Sequence, residues 1–410
     1  MKNKISLLKA ITEKRMIIAL FMGFSSGIPL LLVSKTLQAW MVDVNVDLKI
    51  IGIFALVGLP YTLKFLWAPF MDMWVPPFLG RRRGWMLLCQ IGVIFSIVGI
   101  AFIDHKQSPW LTAFFALLIS FFSASQDIVV DAYRRETLSD NELGMGSTLY
   151  IYGYRVAMLL AGALALFLAD HIPWSLVYIL MAGAMFVGIA TTLLAPEPEV
   201  GVEAPKSLKD SVMMPFLEFF KRKGAVAILL FILLYKLGDN VAGAMTTPFY
   251  LIIGFTKTQV AAIAKTLGLF STLAGAFVGG ALMLRLGIYR SLWIFGIMQA
   301  LSTFFFVILA QIGPNSWVLA GVIGYEDFSS GMGSAALIAY SASLCNKRFT
   351  ATQYALLTSL TGVPRTFAAT GSGFLVEAVG WSWFFTFCAL IAIPGLLLLL
   401  YLDPKRRNSS

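Results

Sequence analysis

The chain has 410 residues, of which 59% are hydrophobic and only 13% charged. A water-soluble domain is nearer half apolar and a quarter charged. The excess runs the whole length, which excludes a soluble globular protein and predicts an all-α polytopic membrane protein. The short alternating segments of a β-barrel are absent. The net charge of +10 does not indicate a nucleic-acid partner, because the basic residues sit in short clusters between apolar runs. Three cysteines (Cys89, Cys345, Cys388) have no framework spacing, and two histidines (His105, His171) fall in short loops. Neither a disulfide scaffold, a metal site nor a cofactor is expected.

A membrane span needs ~20 mostly apolar residues. Twelve candidates follow in chain order: 16–40, 49–70, 84–103, 109–132, 146–169, 173–195, 224–252, 258–284, 289–311, 315–344, 350–377 and 381–402. The basic N-terminus precedes a long apolar run without a small-residue cleavage signal, which reads as an uncleaved first span. With the N-terminus in the cytoplasm, 22 of the 31 lysines and arginines fall on the cytoplasmic side. These include Lys2, Lys4, Lys9, Lys206, Lys209, Lys405, Arg406 and Arg407. Only Lys49, Lys106 and Lys257 fall outside. That asymmetry predicts both termini in the cytoplasm.

The longest polar stretch, 196–223, opens with three prolines and closes as an amphipathic surface segment with a basic end. It divides the chain into a six-span bundle (1–195), a cytoplasmic linker (196–223) and a second six-span bundle (224–410). The halves echo each other. Asp72 and Gly80-Arg-Arg-Arg-Gly84 link spans two and three, and GGALMLRLGIYR (279–290) links spans eight and nine. The fifth and eleventh spans each carry one arginine, Arg155 and Arg365, near mid-membrane. Weak symmetry between six-helix halves is a mark of secondary transporters. The two connections resemble the motif between helices two and three of the major facilitator superfamily. Leu284 stands near the acid position of the second copy, so only the first should form a charged latch.

Closer matches follow. FMGFSSGIPLLL (21–32), TLQAW (36–40), GLPYTLKFLWAP (58–69), PPFLGRRRGW (76–85), SASQDIVVDAYR (123–134), Gly331-Met-Gly333, LCNK (344–347) and ATQYAL (351–356) resemble the AmpG-type muropeptide permeases. The resemblance covers nearly the whole chain. It implies a multi-pass protein of the bacterial inner membrane, working as a monomer. It also implies import of anhydro-muropeptides, the sugar–peptide fragments of cell-wall turnover, driven by protons and serving peptidoglycan recycling.

A muropeptide offers sugar rings, amides and several carboxylates. Arg155 and Arg365 are the first candidates for carboxylate binding, since an intramembrane guanidinium must face protein or water and presents a bidentate fork. The competing reading is an ion pair that holds helices together. Lys236, Asp239 and Asn240 share the seventh span; Lys236 could meet substrate or simply pair with Asp239. Gln38, Lys35, Lys64 and Gln126 are further candidates to line the cavity, with Tyr61, Tyr154, Trp67 and Tyr133 for sugar stacking or plain packing. Membrane burial favours the protonated carboxyl that a proton carrier requires. The candidates are Asp127, Glu326, Asp327 and Asp239, with Lys265 a possible partner for one of the adjacent pair. Asp72, Arg81, Arg82, Arg83, Asp131 and Arg134, with Arg135 alongside, are expected to form a charge cluster at the cytoplasmic face that latches one conformation. The G-x-x-x-G pairs Gly23/Gly27 and Gly275/Gly279 predict close helix packing.

An intramembrane enzyme would need a nucleophile–base pair or metal ligands, which the two histidines do not supply. No pore-loop or charged-ring pattern of a channel is present. A transporter of another bulky anion, such as an acyl-CoA, or a drug exporter is the alternative within the class.

Overall fold

The computed structural model describes residues 12–198 and 208–402. Among them there is no strand, and every long element is a helix. Among the described residues ten helical stretches are long and apolar enough to cross a membrane, from Lys14–Asp43 to Gly371–Tyr401. The terminal lysines and arginines of the topology argument, and Lys206, lie outside the described residues, as do the side chains of Lys209, Lys265 and Arg365.

The expected spans are less continuous than the hydropathy pattern suggests. The first stops at Leu32 and resumes as Lys35–Asp43; at the break Ser34 N turns back to Leu31 O at 3.2 Å. Ser34 Oγ donates to the carbonyl of Leu30 that its own N–H leaves, at 2.7 Å. The second span, 49–70, is broken into Leu48–Ile53, the 3₁₀ turn Phe54–Gly58, Leu59–Leu63, the 3₁₀ turn Lys64–Leu66 and Ala68–Met73. Gly52, Gly58, Pro60 and Pro69 lie in that stretch and interrupt regular helix there. The fourth runs on as Pro109–Thr137. The seventh divides at Lys236 into Ala225–Tyr235 and Leu237–Ile252. Helix Thr350–Leu390 turns at Gly380, whose φ of +76° suits glycine.

The chain forms two compact units. The first contains residues 1–139, 149–215 and 345–359. Trp40, Ile97, Tyr178 and Met185 centre one part of its core, and Met22, Met86, Val129 and Ala355 another. Helices Lys14–Leu32 and Leu143–Leu159 touch backbone to backbone: a Cβ on Gly23 would lie 2.1 Å from Tyr150 O, and one on Gly153 would lie 1.8 Å from Leu20 O. The second unit contains 140–148, 216–344 and 360–410, around Phe249, Phe306, Leu319 and Phe385. There Gly275 and Gly331 bring helices Gly268–Leu286 and Ser316–Leu344 together, with a Gly275 Cβ 1.9 Å from Phe328 O. Both G-x-x-x-G pairs therefore sit at close helix crossings: Gly27 meets the backbone of Tyr154, and Gly279 that of Met332.

Candidate functional site

In the first unit, Asp72 at the end of Ala68–Met73 and Arg82 in the first turn of Arg81–Ala101 are both fully buried and joined at 2.8 Å. The same guanidinium meets Glu136 of helix Pro109–Thr137 at 2.6 Å and, through Nε, at 3.0 Å. Arg81 reaches the same carboxylate at 3.3 Å. Asp72 uses its remaining capacity on the start of helix Thr350–Leu390. It accepts from Thr352 N and Oγ1, both at 2.8 Å, and from Ala351 N at 3.3 Å. Free N–H groups at a helix start favour a carboxylate there. Glu197 caps helix Arg81–Ala101 in the same way, accepting from Arg82 N at 2.7 Å and Arg83 N at 3.0 Å.

The expected single cluster divides in two. Asp131 pairs with Arg134 at 2.9 Å, and that guanidinium donates to Tyr354 Oη at 2.8 Å while covering the Tyr150 ring at 4.5 Å. Arg83 joins neither group through an ion pair among the described residues. Its guanidinium donates to the carbonyls of Thr192 and Leu193. Glu136 and Glu197 were not singled out from sequence. An acid one residue beyond Arg134-Arg135 was the available signal for Glu136. Nothing local marks Glu197, which meets its partners across more than a hundred residues. In the second copy, neither Arg285 nor Arg290 is ion-paired among the described residues, in keeping with Leu284 at the acid position.

One turn from Asp131, Asp127 has one carboxylate oxygen buried without a hydrogen-bond partner among the described residues. Lys64, Ser26 and Tyr61 stand beside it. Gln126 donates to Ser25 Oγ at 3.0 Å, and its own carbonyl oxygen has no partner among the described residues. Arg155 is half-buried in Leu143–Leu159 and has no ion-pair or hydrogen-bond partner among the described residues. Tyr154 precedes it, its ring 6.1 Å from that of Tyr150. Gln38 is half-buried and Lys35 exposed in Lys35–Asp43. Trp67 Nε1 donates to Ser125 Oγ at 2.9 Å and Tyr133 Oη to Pro196 O at 3.0 Å.

The second unit gathers the other candidates. Lys236 Nζ donates to Asp239 Oδ2 at 2.8 Å and to Ser330 Oγ at 3.0 Å. Gln299 Nε2 approaches the same Oδ2 at 3.3 Å. Glu326 is hydrogen-bonded to Ser302, which also lies 3.1 Å from Ser329 Oγ. Asp327 points to another helix and accepts from Thr272 at 3.2 Å, as adjacency on a helix requires.

A helical membrane protein with buried ion pairs and part-exposed intramembrane charges has the make-up of a secondary transporter. The profile of the Major Facilitator Superfamily matches residues 15–369. The Anhydromuropeptide permease of Escherichia coli K12 is 45% identical over 396 residues, which cover 96% of this chain and 80% of that protein. The Putative transporter AmpG 4 of Rickettsia conorii is 37% identical, over 97% of this chain and 98% of its own length. Among solved structures, the proton:xylose symporter XylE matches with a TM-score of 0.71 at 11% identity, covering 95% of each chain. The chain therefore belongs to the major facilitator superfamily of membrane transporters and, within it, to the anhydromuropeptide permease family.

Proposed function

We propose that this protein imports anhydro-muropeptides across the bacterial inner membrane, coupled to protons and by alternating access. The observation that carries the reading is 45% identity to the E. coli permease along 96% of the chain. Twelve spans, cytoplasmic termini, six-span bundles at 1–195 and 224–410 and a linker at 196–223 belong to the same reading, as does a monomeric state. The distribution of lysines and arginines supports the orientation.

Arg155 is assigned to a substrate carboxylate, a role supported by its half-buried guanidinium without a protein partner among the described residues. Arg365 is assigned the same role from sequence. Lys236, Gln126, Lys64, Gln38, Tyr61 and Tyr154 complete the substrate contacts. Asp127, Glu326, Asp327 and Asp239 are the candidates for the proton. The orphan oxygen of Asp127 supports its candidacy, because a neutral carboxyl is cheaper to bury than an ion. Asp72, Arg81, Arg82, Arg83, Asp131 and Arg134 are assigned to the latch. The links of Asp72 to Thr352 and of Arg134 to Tyr354 support this, since both could break when helix Thr350–Leu390 moves.

The test is uptake of radiolabelled anhydro-disaccharide peptide by membrane vesicles with an imposed pH gradient. Accumulation is expected only with the gradient. Equal accumulation without it would overturn proton coupling. No accumulation, together with uptake of a labelled acyl-CoA by the same vesicles, would replace the substrate.

A further inference from the structure

The polar network of the second unit stands at a break in a membrane helix. Lys236 separates Ala225–Tyr235 from Leu237–Ile252, with φ −108° and ψ 4°, and Asp239 lies in the first turn of the helix that follows. A half-helix that starts inside the membrane turns free N–H groups toward an anion. Here a fixed cation stands at the same break. The three ammonium donors of Lys236 are used on Asp239 Oδ2 at 2.8 Å, Ser330 Oγ at 3.0 Å and Ser330 O at 3.2 Å. The pair is not sealed, since each side chain is 14% exposed.

A second observation points to a change of partner. Gln299 is 2% exposed, donates through Nε2 to Asp239 at 3.3 Å, and leaves its Oε1 buried without a partner among the described residues. An orphan acceptor in so dry a place is costly. If Asp239 carried a proton, an amide flip would let Gln299 Oε1 accept from it. The site is thus furnished for both forms of Asp239. The groups around that carboxyl, element by element, are Tyr235 and Lys236 before it, Glu326 on Ser316–Leu344, Gln299 on Ile288–Ile312 and Cys388 on Thr350–Leu390. Among the described residues Lys236 is the one cation in that group, and it is paired with Asp239 while Glu326 is bonded to Ser302.

We propose that the Lys236–Asp239 pair is an exchange site, in which a carboxylate of the substrate's peptide takes the place of Asp239 on Lys236 while Asp239 takes up a proton. This rests on the transport reading above and adds how substrate and proton are linked. The balance is simple. The Nζ–H to Oδ2 contact breaks, Oδ2 receives one proton from water, and Nζ donates to the incoming carboxylate. Binding of the carboxylate without the proton would leave a part-buried Asp239 charged with no other cation beside it among the described residues. Substrate and proton therefore enter together.

The first test uses wild-type protein in weakly buffered detergent with a pH indicator. At neutral pH about one proton is expected to be taken up per anhydro-muropeptide bound, and none with the same muropeptide amidated at its peptide carboxylates. Affinity should rise up to about tenfold per unit fall in pH, the limit for one linked proton. Asp239→Asn should flatten that dependence. Lys236→Gln should weaken the muropeptide at least about tenfold, the loss of one charge-assisted contact, while weakening the amidated analogue little. Wild-type protein that binds no muropeptide would overturn the transport reading itself. Binding without proton uptake, or with unchanged pH dependence in Asp239→Asn, would overturn the exchange site alone.

Discussion

His105 sits in the loop between helices Arg81–Ala101 and Pro109–Thr137, yet it is 2% exposed. Its Nδ1 meets Thr112 Oγ1 at 2.8 Å, and its ring stands edge-on to Trp40 at 4.0 Å. Burial pushes the imidazole down from 6.5 to about 4, with Asp104 opposing the shift. The folded form therefore holds the neutral ring. Its contribution is complete above pH 6.5, the unfolded value, and is lost as pH falls toward about 4. Thermal unfolding of wild-type protein should show a falling midpoint across that window, and His105→Gln should fall less steeply; parallel curves would refute this role. The buried triad of Asp72, Arg82 and Glu136 makes a second prediction. Glu136→Gln leaves Arg82 with an uncompensated share of charge and should cost several kcal/mol, up to about 3–5. Glu13→Gln breaks the exposed pair with Arg15 and should cost under about 1 kcal/mol. Denaturation midpoints of the two variants, compared side by side, decide the matter.

At the scale of elements, glycines at crossings and glycines facing open space should behave oppositely. Gly153→Ala places a methyl against Leu20 O and should destabilise by about 1–3 kcal/mol or more, because the two backbones must separate. Gly321→Ala has nothing within 4 Å and should be neutral or stabilise by about 0.5–1 kcal/mol, the helix preference of alanine. Equal effects on thermal stability would refute the crossing geometry. The crossing at Gly23 and Gly27 was legible because small residues four apart form one stripe on a helix. The broken second span was less so, since hydropathy registers apolar content while proline and glycine decide whether that content stays helical. Likewise Lys236 reads in sequence as a charge within a span, and its place at a helix break emerges only in the fold.

For the whole molecule, transport itself is the readout. Arg155→Gln should reduce uptake of peptide-bearing muropeptide about tenfold or more, the loss of a charge-assisted carboxylate contact. It should reduce uptake of the peptide-free disaccharide less. Equal losses would mean that Arg155 serves structure or gating. By itself the sequence determined the membrane class, the helical architecture and the family, because bilayer thickness fixes the length of apolar runs and long motif strings such as SASQDIVVDAYR are specific. It also marked the charged residues, since ions are costly in lipid wherever they occur. Pairing one turn apart, as of Lys236 with Asp239, was legible in the sequence; the distant partners were decided only in three dimensions. Asp72 meets Thr352, Arg134 meets Tyr354 and Arg82 meets Glu136 across 280, 220 and 54 residues. Hydrogen bonding and ion pairing act over a few ångströms of space and are indifferent to separation along the chain, so the choice of a distant partner belongs to the tertiary structure.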